Sequence, residues 1–173
     1  LWKIEGDPKV SILIPNKDHT EDLEKCLHSI WTKTEWEHFE VIVVENNSTD
    51  PATFAYYKKA QQRYDGLRVV TYPKKGFNFS GINNFGRKYA TGEYLLLLNN
   101  DVEVRSGEWL TELLRQCAHP GGAAVCGAML WYPDDTIQHA GVITGLGGYA
   151  GHSHKYKKAG GSGYMFRTAT VQD

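Results

Sequence analysis

The side chains able to bind or to catalyse gather in three short clusters, each directly after an apolar run. Pro15-Asn16-Lys17-Asp18 follows Val10–Ile14, Glu45-Asn46-Asn47-Ser48-Thr49-Asp50 follows Val41–Val44, and Asn99-Asn100-Asp101 follows Tyr94–Leu98. Every cluster contains at least one carboxylate beside carboxamides. Carboxylates brought together repel one another and repel phosphate, unless a divalent cation or a hydrogen-bonding base or sugar lies between them. The first turn contains no glycine with which to wrap a phosphate in backbone amides. The chemistry to expect is therefore a diphosphate held through a metal ion.

These clusters can act together only if the elements before them line up. Val10–Ile14 reads as a strand buried on both faces and stopped by Pro15. Asp18, three residues before Glu21, reads as an N-cap, and Leu23, Cys26, Leu27, Ile30 and Trp31 then recur at helical spacing. Val41–Val44 is a second strand, and Ser48-Thr49-Asp50-Pro51 is a cap with proline at the first helical position of a helix to about Tyr64. Leu67–Tyr72 is a third strand, Ser80 to Ala90 a helix, Tyr94–Leu98 a fourth strand and Trp109–Cys117 a helix. This alternation predicts βαβ units with right-handed crossovers and a mainly parallel α/β sheet. Ala124–Trp131 and Thr136–Ile143 flank a Tyr132-Pro133-Asp134-Asp135 turn, an antiparallel hairpin expected to extend the sheet. Residues 144–163 are glycine-dense without periodicity and read as one long loop.

With 173 residues, 19 Lys plus Arg against 20 Asp plus Glu, and 41% hydrophobic residues, the chain is expected to be one ordinary globular domain over 1–173. A near-zero balance gives no sign of a nucleic-acid partner. No apolar run approaches the roughly 18 residues of a membrane span. The start at Leu1 shows neither a basic nor an apolar leader, so the chain reads as an excised domain without a signal peptide. Three cysteines, Cys26, Cys117 and Cys126, fall in apolar patterns without metal-ligand spacing and read as reduced core residues of a cytoplasmic protein. A P-loop is absent. Gly145-Leu146-Gly147-Gly148-Tyr149-Ala150 matches a relaxed dinucleotide fingerprint but follows no first strand and opens no helix. A phosphoacceptor receiver domain also places acids at strand ends, yet Asn99-Asn100-Asp101 and the loop-rich tail suit it poorly.

Five segments in order carry a family resemblance. Val10–Asp18 resembles the opening strand of family 2 glycosyltransferases of the GT-A fold, and Glu40–Asp50 their second strand, with Glu45-Asn46 where a pair of Asp is usual. Asn83-Asn84-Phe85-Gly86 resembles Arg-Asn-x-Gly with Asn83 in the Arg place. Leu98-Asn99-Asn100-Asp101 resembles the Asp-x-Asp element with only the last acid kept. Tyr132 to Gly141 is similar to a segment of bacterial members that build O-antigen, rhamnan or other surface polysaccharides.

The resemblance implies an α/β, three-layer GT-A domain. It would transfer a sugar, with inversion, from a UDP-, GDP- or dTDP-linked donor to a saccharide or lipid-linked acceptor. Such chemistry is expected on the cytoplasmic side, with peripheral attachment to the inner face of a membrane compatible with it. Glu45 would accept the nucleobase ring N–H, and Pro15 and Asn16 would shape the base and ribose pocket. Asp18, Asn47, Asn84, Asn99 and Asn100 complete the nucleotide-binding set. Asp101 would bind Mg²⁺ or Mn²⁺, which stabilises the departing nucleotide. His152 is a candidate further ligand, because His139, His152 and His154 could instead be solvated loop histidines or complete a metal shell. Lys74, Lys75, Lys155, Lys157 and Lys158 could meet diphosphate or form solvated surface. Tyr149, Tyr156 and Tyr164 could stack on sugar, whereas Trp109 and Trp131 sit in patterned elements and read as core.

The inverting reaction needs a carboxylate to take the acceptor proton. Asp134 and Asp135 lie in a turn and Asp173 is terminal, so the base is expected beyond Asp173 and the domain is read as truncated on that side. A non-catalytic nucleotide-sugar-binding fragment is the first rival reading. A nucleotidyltransferase is the second, and it would want a Gly-rich loop in place of Pro15-Asn16-Lys17-Asp18.

Overall fold

The structure, a computed structural model, describes residues 2–145 and 148–158. The chain divides into two compact units, Leu1–Gly122 and Ala123–Asp173.

The first unit runs β1 (Val10–Asn16), α1 (Thr20–Lys33), β2 (Phe39–Glu45), α2 (Pro51–Arg63), β3 (Leu67–Thr71), α3 (Phe79–Gly86) with a 3-10 turn (Arg87–Tyr89), β4 (Tyr94–Leu97) and α4 (Trp109–Cys117). The strands form one parallel sheet in the order β3-β2-β1-β4. Side chains alternate across a strand, so β1 and β2 feed both faces. Val10, Ile12, Ile14, Val41 and Val43 join Leu23, Leu27 and Ile30 of α1, Tyr56, Tyr57 and Ala60 of α2, and Leu110 and Leu114 of α4 in the larger core. Leu13, Ile42 and Val44 meet Tyr72 and Ile82 on the other face. Fully burying each such aliphatic side chain contributes about 1.5–3 kcal/mol, which is why these two strands hold the middle of the sheet.

Pro15 does not stop β1, which continues to Asn16. Leu13 turns its carbonyl to β4 and accepts from Leu98 N–H, so Pro15, two residues on, faces the same side. The β1–β4 ladder has ended at Leu13↔Leu97 by then, and proline's missing N–H breaks no bond. Asp18 is not the cap of α1. The N-cap is His19, at φ 47° with no side-chain cap bond, because the Asp18 carboxylate is drawn to the β2–α2 turn instead. Asp50 caps α2 as expected, accepting from Ala52 N–H with Pro51 at the first helical position. Among the described residues the apolar β4 stands at the edge of the sheet, and Leu95 and Leu97 are 43% and 50% exposed.

The second unit holds β5 (Leu130–Trp131) antiparallel to β6 (Ile137–His139), and β7 (Val142–Thr144) antiparallel to β8 (Ala150–His152). The expected hairpin is therefore present but short, and it makes a two-stranded sheet of its own instead of extending the parallel one. The stretch read as one loop from residue 144 contains β8. Its three residues of small and polar character lie below the length at which a period of two can be recognised.

Candidate functional site

Parallel pairing brings the polar clusters to one edge, and register decides which residues meet. Asn16 pairs with Glu45 across β1 and β2. The β1–β4 register couples Val10 to Tyr94 and Leu13 to Leu97, and the same spacing carries Asn16 to Asn100, whose Nδ2 donates to Asn16 Oδ1 at 2.6 Å. Asn16 Nδ2 donates in turn to the Tyr57 hydroxyl at 2.8 Å and to the Asp18 carbonyl at 2.9 Å. The Tyr57 hydroxyl donates to Glu45 Oε2 at 2.8 Å. A continuous chain of hydrogen bonds thus crosses from the turn after β4 through β1 and α2 to β2.

Glu45 is 2% exposed and its oxygens are occupied. Oε1 accepts from Ser48 N–H at 2.6 Å, and Oε2 accepts from the Ser48 hydroxyl at 2.5 Å besides Tyr57. The Ser48 hydroxyl accepts from Asp18 N–H at 2.8 Å, tying the two turns together. Burial pushes the Tyr57 hydroxyl pKa above its ordinary value, so it stays a neutral donor. The Asp18 carboxylate accepts the N–H groups of Asp50 and Thr49, which hold it below the usual carboxylate range. Left-handed backbone at Asp18 (φ 53°) and Asn47 (φ 60°) makes this mutual bracing of the turns possible, at a steric cost of about 1–2 kcal/mol per residue.

The remaining candidates have distinct settings. Asn47 Nδ2 bridges Asn46 Oδ1 and the Lys74 carbonyl, fastening the loop after β3. Pro15 is half-buried. Asn83 is buried and donates to the Phe79 carbonyl, with Oδ1 unsatisfied, whereas Asn84 is exposed. Asn99 and Asp101 are exposed at the mouth of this edge. The Asn99 carbonyl accepts from the Cys26 thiol at 3.8 Å. Burial first, and the Asp101 charge second, push that thiol up to about 12, so Cys26 is a core residue and no nucleophile.

In the second unit His139 Nδ1 lies 2.8 Å from His152 Nδ1, and burial together with His152 lowers the His139 pKa. Tyr132 stacks on Tyr156, over which Lys155 Nζ sits 5.1 Å from the ring centre. Tyr149 is 91% exposed. Tyr164 and Asp173 lie outside the described residues, as do Leu146 and Gly147 of the dinucleotide-like string.

Residues 11–166 match the family described as "Glycosyl transferase family 2". The chain belongs to this family. Among its relatives, the O-antigen biosynthesis protein RfbC of Myxococcus xanthus is 44% identical over 87% of this chain and 12% of its own length. The y4gI protein of Sinorhizobium fredii is 41% identical over the whole chain, which spans 19% of it. The fold is that of the Pyrobaculum calidifontis mannosyltransferase solved with GDP-Man and Mn²⁺, with a TM-score of 0.62 at 20% identity over 78% of this chain and 40% of that one. The GT-A architecture expected from the sequence is therefore present, while the chain represents a minor part of its matched relatives.

For a family 2 glycosyltransferase the metal question turns on donor chemistry. No group of three or more His, Cys, Asp or Glu side chains that could hold an ion occurs among the described residues. Asp101 stands exposed beside the Asn99 and Asn100 carboxamides, an all-oxygen set with one carboxylate. Mg²⁺ is commonly held by one or two carboxylates plus substrate phosphates, with no all-protein cage, and Mn²⁺ favours the same oxygen donors. The residues fit a cation that arrives with a diphosphate. The sequence reading missed Tyr57 altogether. Its only local signal was a position on the apolar face of α2, where an aromatic residue reads as core.

Proposed function

We propose that this domain binds a nucleotide-diphospho-sugar at the carboxyl edge of its parallel sheet and transfers the sugar, with inversion, to an acceptor hydroxyl. The observation carrying this reading is the hydrogen-bonded row Glu45–Tyr57–Asn16–Asn100 with exposed Asp101 at its end, in a chain of the glycosyltransferase family. Pro15 and Asn16 floor the base and ribose pocket, Asp18 and Asn47 brace its turns, and Asn84, Asn99 and Asn100 offer polar groups at its rim. Glu45, with its oxygens taken, supports the pocket from below and is not its base-reading surface. Asp101 would hold the divalent cation, with Asn99 and Asn100 as neutral oxygen neighbours. When bound, the cation neutralises the diphosphate and stabilises the nucleotide as it departs. The reading uses Asp101 and does not need His152.

The likeness to the O-antigen biosynthesis protein RfbC supports cell-surface polysaccharide synthesis as the setting, and a relative named as a glucosyltransferase acting on an undecaprenol-linked saccharide supports a saccharide or lipid-linked acceptor. This reading puts the domain on the cytoplasmic side of a membrane. Among the described residues no helix is long and apolar enough to cross a membrane.

One observation favours a second reading, a nucleotide-sugar-binding domain without turnover. The Asp134 carboxylate is held by the Thr136 hydroxyl and N–H, which lower its pKa and make it a poor base. Calorimetric titration with UDP, GDP and dTDP, with and without Mn²⁺, tests both. At least one nucleotide binds, Mn²⁺ tightens it, and Asp101→Ala removes the Mn²⁺ increment of about tenfold, or 1.4 kcal/mol. Absence of binding under every condition overturns both readings, and release of free sugar from the matching donor separates the first from the second.

A further inference from the structure

The strand-end hydrogen bonds have a direction. Glu45 meets donors only: Ser48 N–H, the Ser48 hydroxyl and the Tyr57 hydroxyl. A phenol has one proton to give. With that proton on Glu45 Oε2, the Tyr57 oxygen must accept from its other neighbour, 2.8 Å away, and only the NH₂ end of the Asn16 carboxamide can donate there. The same NH₂ reaches the Asp18 carbonyl, a second acceptor that excludes the flipped amide. Asn16 is 2% exposed, so no solvent competes for its orientation. Its Oδ1 therefore faces β4 and must be met by a donor, and the NH₂ of Asn100 meets it at 2.6 Å. Asn100 is half-buried, and nothing among the described residues donates to its remaining polar atom, Oδ1.

We propose that Glu45, acting through Tyr57 and Asn16, fixes the Asn100 carboxamide with its oxygen outward, so that Asn100 is an acceptor for a hydroxyl or water proton of a bound nucleoside diphosphate. Tyr57 is then a positioning residue, set on α2 at a distance from the ligand. The proposal rests on the nucleotide-site reading above and adds to it the polarity of one contact. Chains of this kind polarise each bond in the same sense, and a carboxamide whose NH₂ donates to a fixed, buried acceptor is held against a flip that would set oxygen against oxygen. An outward Asn100 oxygen beside Asp101 suits either a ribose hydroxyl or a water on the cation, both of which present a proton.

Side-chain ¹⁵N NMR of the whole chain tests the orientation without any ligand. The Asn100 NH₂ should show slow exchange and cross-relaxation with Asn16, and the Asn16 NH₂ with the Tyr57 ring. Both signatures should be lost in Tyr57→Phe and Glu45→Gln and kept in Tyr56→Phe, whose hydroxyl is buried without a partner. An Asn100 NH₂ that exchanges freely in the unaltered chain, or is unmoved by Tyr57→Phe, overturns the proposal.

Titration with UDP, GDP and dTDP supplies the second arm. Tyr57→Phe and Asn100→Ala should each weaken the nucleotide that binds by about tenfold, and the double variant should be no weaker than Asn100→Ala alone, because Tyr57 acts through Asn100. Additive losses overturn the relay. A loss seen only with Mn²⁺ assigns the proton to a cation-bound water, and a loss in both conditions assigns it to the nucleotide. If the unaltered chain binds none of the three, the functional reading fails while the NMR result still decides the orientation.

Discussion

Two buried glutamates of β2, Glu40 and Glu45, show how placement along one strand changes the use of a carboxylate. Glu45 ends the strand in the candidate site. Glu40 lies second in it, and accepts from Ser11 Oγ at 2.6 Å, Thr91 N–H at 2.7 Å and Arg68 at 2.8 Å, with Lys9 3.3 Å away. Burial acts to raise its pKa, but the Ser11, Thr91 and Lys9 contacts outweigh it and hold the value at about 2, against an ordinary 4.5. A folded pKa below the unfolded one stabilises the protein above the unfolded value and loses that contribution as pH falls toward the folded one. Glu40 should therefore contribute about 3 kcal/mol at neutral pH, fading between pH 4.5 and 2. In urea titrations, Glu40→Gln should lower stability by roughly 2–4 kcal/mol and flatten the pH dependence in that window. Nucleotide affinity should be untouched, since the residue lies at the opposite end of the strand. An unchanged acid limb in the variant contradicts this account. The sequence placed Glu45 at a site-forming strand end, whereas the role of Glu40, an acid flanking the same apolar run, and the partners of both depended on residues distant in the chain.

At the scale of elements, α3 shows a motif residue explained by packing. Gly86, the glycine of Asn83-Asn84-Phe85-Gly86, lies where α3 crosses the sheet, and a Cβ there would stand 2.7 Å from Val44 Cγ2 and 3.7 Å from Leu13. Val44 is β-branched and fully buried, so it has no rotamer into which to retreat. Gly86→Ala should cost about 1–3 kcal/mol through overpacking, measured as a lower urea midpoint with an unchanged slope. A variant as stable as the parent would show that α3 can lift from the sheet without penalty. The elements themselves were largely legible. Helical spacing of Leu23, Cys26, Leu27 and Ile30 and the Asp50-Pro51 start gave α1 and α2, because periodicity and capping are local. Capping by Asp18 was misread because a carboxylate near a helix start has more than one set of N–H groups in reach. Here the left-handed turn at Asp18 aimed it at Thr49 and Asp50.

At the scale of the whole molecule, the parallel sheet and both apolar clusters lie within Leu1–Gly122. All members of the strand-end row lie there as well. A chain ending at Gly122 should therefore unfold cooperatively in urea, with one transition by both circular dichroism and tryptophan fluorescence, and should retain the hydrogen bonds of Glu45, Tyr57, Asn16 and Asn100. Noncoincident transitions would show that the second unit is needed for the core. The exposed Leu95 and Leu97 of edge strand β4 make solubility the practical control, since an apolar edge invites association.

The sequence by itself determined the alternation of buried strands with amphipathic helices, the polar character of the three strand ends and the family to which the chain belongs. These depend on neighbours within a few residues, or on motifs a few residues long. Tertiary structure decided which polar residues face protein and which stay exposed. The order β3-β2-β1-β4 and its register set Asn16 between Glu45 and Asn100, and packing of α2 on the sheet delivered Tyr57 to the gap. Hydrogen-bond partners 41 and 84 residues apart leave no trace in local spacing. The buried polar atoms of Asn16, Glu45 and Tyr57 find their partners only once the chain has closed.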